Sequence, residues 1–134
     1  MSPQPGGVLS FDHVALPMRD ADAMVAFYRA LGLDVVETPY LVQVHLGDQM
    51  INFHRAEMWQ RADFTLRAPA ADPPCGDLCF VWGGSADALH AALHDAAAPV
   101  VEGPVPRHGA RGVEASSVYV RDPDGNLLEF MIYP

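Results

Sequence analysis

Cysteine is scarce in this chain: Cys75 and Cys79 are its only two, too few and too close together for the disulfide framework of a small secreted domain. A reducing, cytoplasmic setting is the expectation. No apolar run reaches the ~20 residues needed to cross a bilayer. The start, Met1 to Gly7, carries Ser, Pro, Gln and Gly where a signal peptide would be basic and then apolar. Residues 1–10 therefore read as a flexible tail, and no membrane partner is expected. Basic residues are also few. Eight stand against 17 acidic ones, and the formal charge of -9 repels phosphate backbones and anionic surfaces, which excludes nucleic acid as a natural partner.

What the chain does have is apolar mass. Half of its 134 residues are hydrophobic, enough to bury a core without staples, and the length is that of one domain. Phe11 to Leu16 is short, β-prone and closed by Pro17, so it reads as a strand. Asp20 to Gly32 opens with acidic capping residues, places Met24, Phe27, Tyr28 and Leu31 at helical spacing and ends on glycine, so it reads as a helix. Three extended pieces follow, Asp34 to Thr38, Leu41 to Leu46 and Met50 to His54, the last two joined by Gly47-Asp48-Gln49. Residues 56–75 contain Pro69, Pro73 and Pro74, show no sustained period and read as a linker.

The order then repeats. Asp77 to Trp82 is a strand, Ser85 to Asp95 an Ala-rich helix with Ser85 as cap, and Val100 to Glu102, Ala115 to Val120 and Asn126 to Tyr133 are three more extended pieces. Asp122-Pro123-Asp124-Gly125 is a turn before the last of them. The fold class is α+β, with two strand-helix-three-strand modules at about 11–55 and 76–134 forming a single domain over 11–134. Overlaying the halves sets His13 on Asp77 and Asn52 on Glu129.

Strand alternation puts Glu129 on one face with Leu127, Met131 and Tyr133, away from Leu128, Phe130 and Ile132. A buried, unpaired carboxylate is costly, and a metal cation, an arginine or protonation would each relieve that cost. His13 interrupts an apolar strand in the same way, and its alternative is a hydrogen-bonded core histidine. Pseudo-twofold packing of the modules would bring His13 and Glu129 over one cavity, where His, Asp and Glu ligands suit Zn(II), Mn(II), Fe(II), Co(II) or Ni(II). His54 shares a face with Asn52 and is a second ligand or proton-transfer candidate, and Asn52 suits a substrate hydrogen bond better than a metal. His45 reads as a polar sheet residue, and His90 and His94 as a solvated helix face without the Glu of the His-Glu-x-x-His pattern.

Residues 102–112 hold glycines, prolines and charges, as an active-site lid or a plain loop would. Arg107 and Arg111 suit a substrate carboxylate or phosphate, or a salt bridge to one of the many acids. Trp59, Trp82 and Tyr40 are candidates to line a pocket, or else pack as ordinary aromatics. Neither cysteine is assigned a nucleophilic role.

Three stretches, Phe11-Asp12-His13-Val14-Ala15-Leu16, Phe27-Tyr28-Arg29-Ala30-Leu31-Gly32-Leu33 and Arg121-Asp122-Pro123-Asp124-Gly125-Asn126-Leu127-Leu128-Glu129-Phe130, together resemble the vicinal oxygen chelate superfamily. That superfamily includes glyoxalase I, bleomycin and fosfomycin resistance proteins and extradiol dioxygenases. Met50 to His54 and the Glu102 to Arg107 run look closer still to its glyoxalase domain-containing protein 5 and virulence-protein branch. The resemblance implies paired βαβββ modules in a cupped mixed sheet, helices outside, around a divalent metal and with the site often completed across a dimer interface. It makes His13 the first-strand ligand and Glu129 the last-strand ligand. The fifth-strand position, commonly His in catalytic members, is Asp77, and the fourth-strand position, Glu in glyoxalase I, is Asn52.

The resulting expectation is a metal ligand set of His13, Asp77 and Glu129. Glu129 and His54 are the catalytic candidates, and Asn52, Arg107 and Arg111 the substrate contacts. The activity expected is that of a divalent-metal-dependent glyoxalase-like lyase or isomerase acting as a homodimer on a small substrate with vicinal oxygens. The alternatives are an extradiol-type ring-cleaving dioxygenase and a non-catalytic sequestering protein of bleomycin-resistance type.

Overall fold

A computed structural model of the chain describes residues 6–134. Of the expected N-terminal tail, residues 1–5 lie outside the described residues, and 6–10 are exposed and without strand or helix. The first module runs β1 (His13–Pro17), α1 (Ala21–Ala30), β2 (Asp34–Glu37), β3 (Leu41–Leu46) and β4 (Gln49–His54). A one-turn helix, α2 (Ala56–Trp59), follows. The second module runs β5 (Asp77–Val81), α3 (Ala86–Asp95), β6 (Glu102–His108), β7 (Glu114–Arg121) and β8 (Leu127–Ile132).

Each module makes a four-stranded sheet, ordered β1-β4-β3-β2 and β5-β8-β7-β6, with the first strand parallel to the fourth and the other pairs antiparallel. The registers repeat as well as the order. His13 lies opposite Met50 and Ala15 opposite Asn52 in the first sheet, as Asp77 lies opposite Leu127 and Cys79 opposite Glu129 in the second.

Local chemistry sets the helix ends. The Asp20 side chain accepts from the Ala23 N–H and the Ser85 side chain from the Ala88 N–H, each satisfying a donor that the first helical turn leaves free. At the other end of α1, Gly32 takes a φ of +91°, where the backbone N–H groups of Gly32 and Leu33 close on Arg29 and Tyr28 carbonyls. The corresponding turn of α3 is made by Ala97 at a φ of +54°, with Ala97 and Ala98 closing on His94 and Leu93.

One apolar core joins the modules. Val42, Val44, Ile51 and Phe53 of the first sheet cluster with Val118, Val120, Leu128 and Phe130 of the second, and with Met24, Phe27, Tyr28, Leu89 and Leu93 of the helices. Strand alternation then turns the opposite faces of both sheets away from that core.

A polar clamp locks the modules together. The Asp122 carboxylate accepts from the backbone N–H groups of Asp124, Gly125 and Asn126, from the Asn126 side-chain amide and from the Tyr28 hydroxyl. Asp124 in turn accepts from the Arg19 and Asp20 N–H groups at the start of α1, and the Asn126 side-chain oxygen accepts from the Gly76 N–H ahead of β5. The Asp-Pro-Asp-Gly-Asn run is thus more than a turn. It ties β8 to α1 across the module boundary.

Two expectations need correction. Residues 102–108 are not loop but the edge strand β6, which takes the place of the strand expected at Val100 to Glu102. Pro104 and Pro106 are tolerated there because an edge strand leaves one row of backbone groups without a ladder partner. The 56–75 linker is not wholly irregular, since Ala56–Trp59 is helical and Trp59 is fixed by its indole N–H on the Met18 carbonyl and by Arg67 over its ring.

Candidate functional site

Every residue singled out for metal or proton chemistry lies on the sheet faces that look away from the core. On the first sheet these are His13, Asn52 and His54, with Gln43 opposite Asn52 on β3. On the second they are Asp77, Cys79 and Glu129, with Ser117, Tyr119 and Arg121 alternating along β7. Among the described residues no three His, Cys, Asp or Glu side chains form a metal-binding group.

The first half-site is shaped around free lone pairs. His13 Nδ1 lies 2.7 Å from Asp12 Oδ1, where the carboxylate accepts the Nδ1 proton, so that Nε2 is the ring nitrogen left without a partner among the described residues. Asn52 is 9% exposed, and its Oδ1 has no hydrogen-bond donor. Such an orphaned acceptor is uncommon, because each buried polar atom left unmatched costs about 1–3 kcal/mol. In the second sheet the equivalent oxygen is served: Ser117 Oγ donates to Glu129 Oε2 at 2.7 Å. By register, Leu41 takes the place of Ser117 in the first sheet and has nothing to donate. His54 stacks edge-on against Phe64, with ring centroids 5.4 Å apart. Burial, then the nearby charges of Arg67 and His13, hold its imidazole below the ordinary value, so it is a neutral base at pH 7.

The second half-site is an open cavity of about 450 Å³ lined by Asp77, Glu102, Arg107, Tyr119, Arg121 and Glu129, among others. Cys79 is opposite Glu129, and burial together with the Glu129 and Asp77 charges pushes its thiol up to about 11. It stays protonated and poorly nucleophilic. Arg107 Nε donates to the Tyr119 hydroxyl at 3.0 Å, which fixes the guanidinium on the cavity wall. Arg111 lies elsewhere, 4.4 Å over the Tyr133 ring. Between the edge strands β1 and β5 runs a second cleft, also about 450 Å³, with His13 and Cys79 among its lining residues.

The remaining candidates lie outside both half-sites: the Trp82 indole donates to the Ser85 carbonyl, Tyr40 is exposed, and His94 on α3 lies 3.9 Å from Asp95. Sequence reasoning missed Ser117, Tyr119 and Arg121. Their signal was the alternation with Val118 and Val120, which assigns all three to the Glu129 face once β7 is set against β8.

Similarity to known proteins identifies the family and the fold. Glyoxalase domain-containing protein RDO1 of Mycosarcoma maydis is 38% identical over 127 residues, covering 94% of this chain and 69% of that protein. Virulence protein STM3117 of Salmonella typhimurium is 36% identical over 124 residues, covering 91% and 83%. The crystal structure of STM3117 superposes with a TM-score of 0.82 at 35% identity, covering 95% of this chain and 98% of that one. A lactoylglutathione lyase from Agrobacterium tumefaciens superposes with a TM-score of 0.66 at 29% identity, covering 97% and 96%. With residues 10–130 matching the family as a whole, the chain belongs to the Glyoxalase/Bleomycin resistance protein/Dioxygenase superfamily.

Proposed function

We propose that this protein is a divalent-metal-dependent glyoxalase-like enzyme of lyase or isomerase type. Its substrate is a small molecule with vicinal oxygens, and the reducing cytoplasm its setting. The observation that carries the reading is the pair of outward-facing half-sites, one with an unpartnered imidazole Nε2 and an orphaned Asn52 oxygen, the other with three carboxylates. Each half is incomplete alone. A twofold homodimer that sets the first sheet of one protomer against the second sheet of its partner completes the cup.

The donor set fits a borderline or hard cation, since the His13 imidazole keeps Nε2 and the Glu129 carboxylate keeps the oxygen that Ser117 does not occupy, with Asp77 as a second carboxylate. His13, Asp77 and Glu129 would hold the metal, which when bound supplies a Lewis acid for the substrate's vicinal oxygens. His54, kept neutral by burial and Arg67, accepts a proton from the substrate carbon, with Glu129 the second group able to move one. Asn52 offers its unmatched oxygen to a substrate hydroxyl. Arg107 and Arg111 are the candidate anion contacts, and Arg107 is the one on the cavity wall.

The test is metal stoichiometry and assembly state. His90 and His94 are replaced by Ala throughout, so that the exposed helix pair contributes nothing. Wild type and His13→Ala are then reconstituted with Mn(II), Ni(II), Zn(II) or Fe(II), desalted and analysed. About one ion per chain in a wild-type dimer, lost in His13→Ala, is expected. Equal metal content in both proteins, or a metal-loaded monomer, refutes the reading. Metal-independent binding of planar ligands without turnover would instead support sequestration, and oxygen consumption with a catechol would support ring cleavage.

A further inference from the structure

We infer that His90 and His94 form a metal site of their own on the outer side of α3, a two-imidazole chelate for a divalent first-row ion such as Cu(II) or Zn(II). The site is separate from both half-sites and does not depend on the functional reading above.

Local geometry carries the first step. Residues four apart on a helix sit one turn above each other, with Cβ atoms about 5–6 Å apart, close enough for two imidazoles to reach one ion. Both histidines lie inside α3, whose first turn is capped by Ser85 and whose end is closed by the Ala96, Ala97 and Ala98 N–H groups on the Ala92, His94 and Leu93 carbonyls. The helix is also fixed about its axis. Leu89 and Leu93 are buried in the core, so the stripe one residue further on, His90 and His94, is held toward solvent.

Spacing alone reads as a solvated helix face. The structure adds that both histidines line one open cavity of about 450 Å³, whose other lining residues are Leu93, Ala97, Ala98, Pro99 and Val100. That wall is apolar, and no other side chain on it competes for the imidazole nitrogens. His94 Nδ1 stands 3.9 Å from the Asp95 carboxylate, too far for a hydrogen bond to tie the ring down. No third ligand joins them among the described residues, which leaves the remaining coordination positions to water and the ion exchangeable.

Placement along the helix favours a cation. Both residues lie in the second half of α3, toward the negative end of its dipole, with Asp95 beside them and a formal charge of -9 on the chain. Two nitrogen donors select borderline ions, Cu(II) ahead of Ni(II) and Zn(II), over Mg(II) or Ca(II).

The experiment uses the full chain carrying His13→Ala, Cys75→Ser and Cys79→Ser, which removes the thiols and the first-strand imidazole as competitors. Calorimetric titration with Zn(II) should give about one ion per chain. His90→Ala and His94→Ala should each weaken binding at least about tenfold, the loss expected when a chelate is reduced to a single ligand. His90→Ala combined with Ala92→His keeps the number of histidines but sets the pair on opposite sides of the helix, and it should bind as weakly as the single variants. Substoichiometric Cu(II) should broaden the ring proton signals of His90 and His94 before those of His45, His54 and His108. Circular dichroism confirms that each variant is folded. Zinc affinity unmoved by either Ala substitution, affinity kept by the opposite-side variant, or Cu(II) broadening that begins at another histidine overturns the inference. None of these outcomes involves His13, so the functional reading stands or falls separately.

Discussion

Asp122→Ala should be among the most destabilising single changes in the chain, although the residue lies beside the strand that carries Glu129 and touches neither half-site. The carboxylate is 5% exposed and serves five donors. Two of these, the Tyr28 hydroxyl and the Asn126 amide, belong to side chains that are fully buried, so each loses its acceptor without gaining water, at about 1–3 kcal/mol apiece. The Gly125 N–H keeps its bond to the Asp122 carbonyl, while the Asp124 and Asn126 N–H groups must find solvent. Relief of the carboxylate's own burial, which pushes its pKa up, offsets part of the loss. The net expectation is about 3–5 kcal/mol, a large share of the ~5–15 kcal/mol typical of a domain. Tyr28→Phe should cost about 1.5–3 kcal/mol, since burial and the Asp122 charge keep that hydroxyl a donor to a charged group. Urea unfolding of the two single variants and the double variant closes a cycle whose coupling should be about 1 kcal/mol or more. Metal content of folded Tyr28→Phe should match wild type. An Asp122→Ala loss under 1 kcal/mol, or strict additivity with Tyr28→Phe, would refute the clamp.

Other expectations follow from single contacts. His54 titrates below its ordinary 6.5, so the acid limb of turnover should fall below that pH and move up in Arg67→Gln, where one of the depressing charges is gone. The same depression has a stability consequence: the contribution is present above about pH 6.5 and lost as pH falls through the folded value, and urea midpoints of His54→Gln should lack that slope. In a Cys75→Ser background, Cys79 should alkylate slowly at pH 8, and Glu129→Gln should speed the reaction by removing the charge that holds the thiol up. Ala97→Gly should raise stability by about 0.5–1 kcal/mol in thermal or urea unfolding, because glycine already fills the matching left-handed position, Gly32, at the end of α1.

Much of this architecture was legible because the residues obey simple periods. Asp20 and Ser85 signal their helices by capping chemistry, and the single charge of β8, Glu129, set against Leu128 and Phe130, marks which face of that strand joins the core. β6 was misread because Pro104 and Pro106 lower strand propensity wherever they fall, and only the sheet order reveals that this strand sits at an edge, where the penalty is small. The clamp was read as a turn for a related reason. Asp-Pro-Asp-Gly is sufficient for a turn by itself, and nothing local reports that Asp122 reaches Tyr28, 94 residues away in sequence.

The same limit governs the site. Alternation assigns His13 and Glu129 each to a sheet face, and the repeated register makes Asn52 the counterpart of Glu129. Alternation cannot say where those two faces point relative to each other. That depends on the shared core, where Phe53 and Phe130 enter one apolar cluster and leave His13 and Glu129 on the opposite faces of their sheets. Neither half can then be judged from one copy of the chain. If the cup forms between copies, its two halves are separable by mutation. His13→Ala and Glu129→Gln, each metal-free alone, should restore one competent cup per dimer when mixed: one heterodimer cup joins mutated His13 to mutated Glu129, and the other joins the two intact residues. Recovery of about half a metal ion per chain in the separated heterodimer is the expected outcome, and a heterodimer as empty as its parents would place the site within one chain or nowhere on these faces.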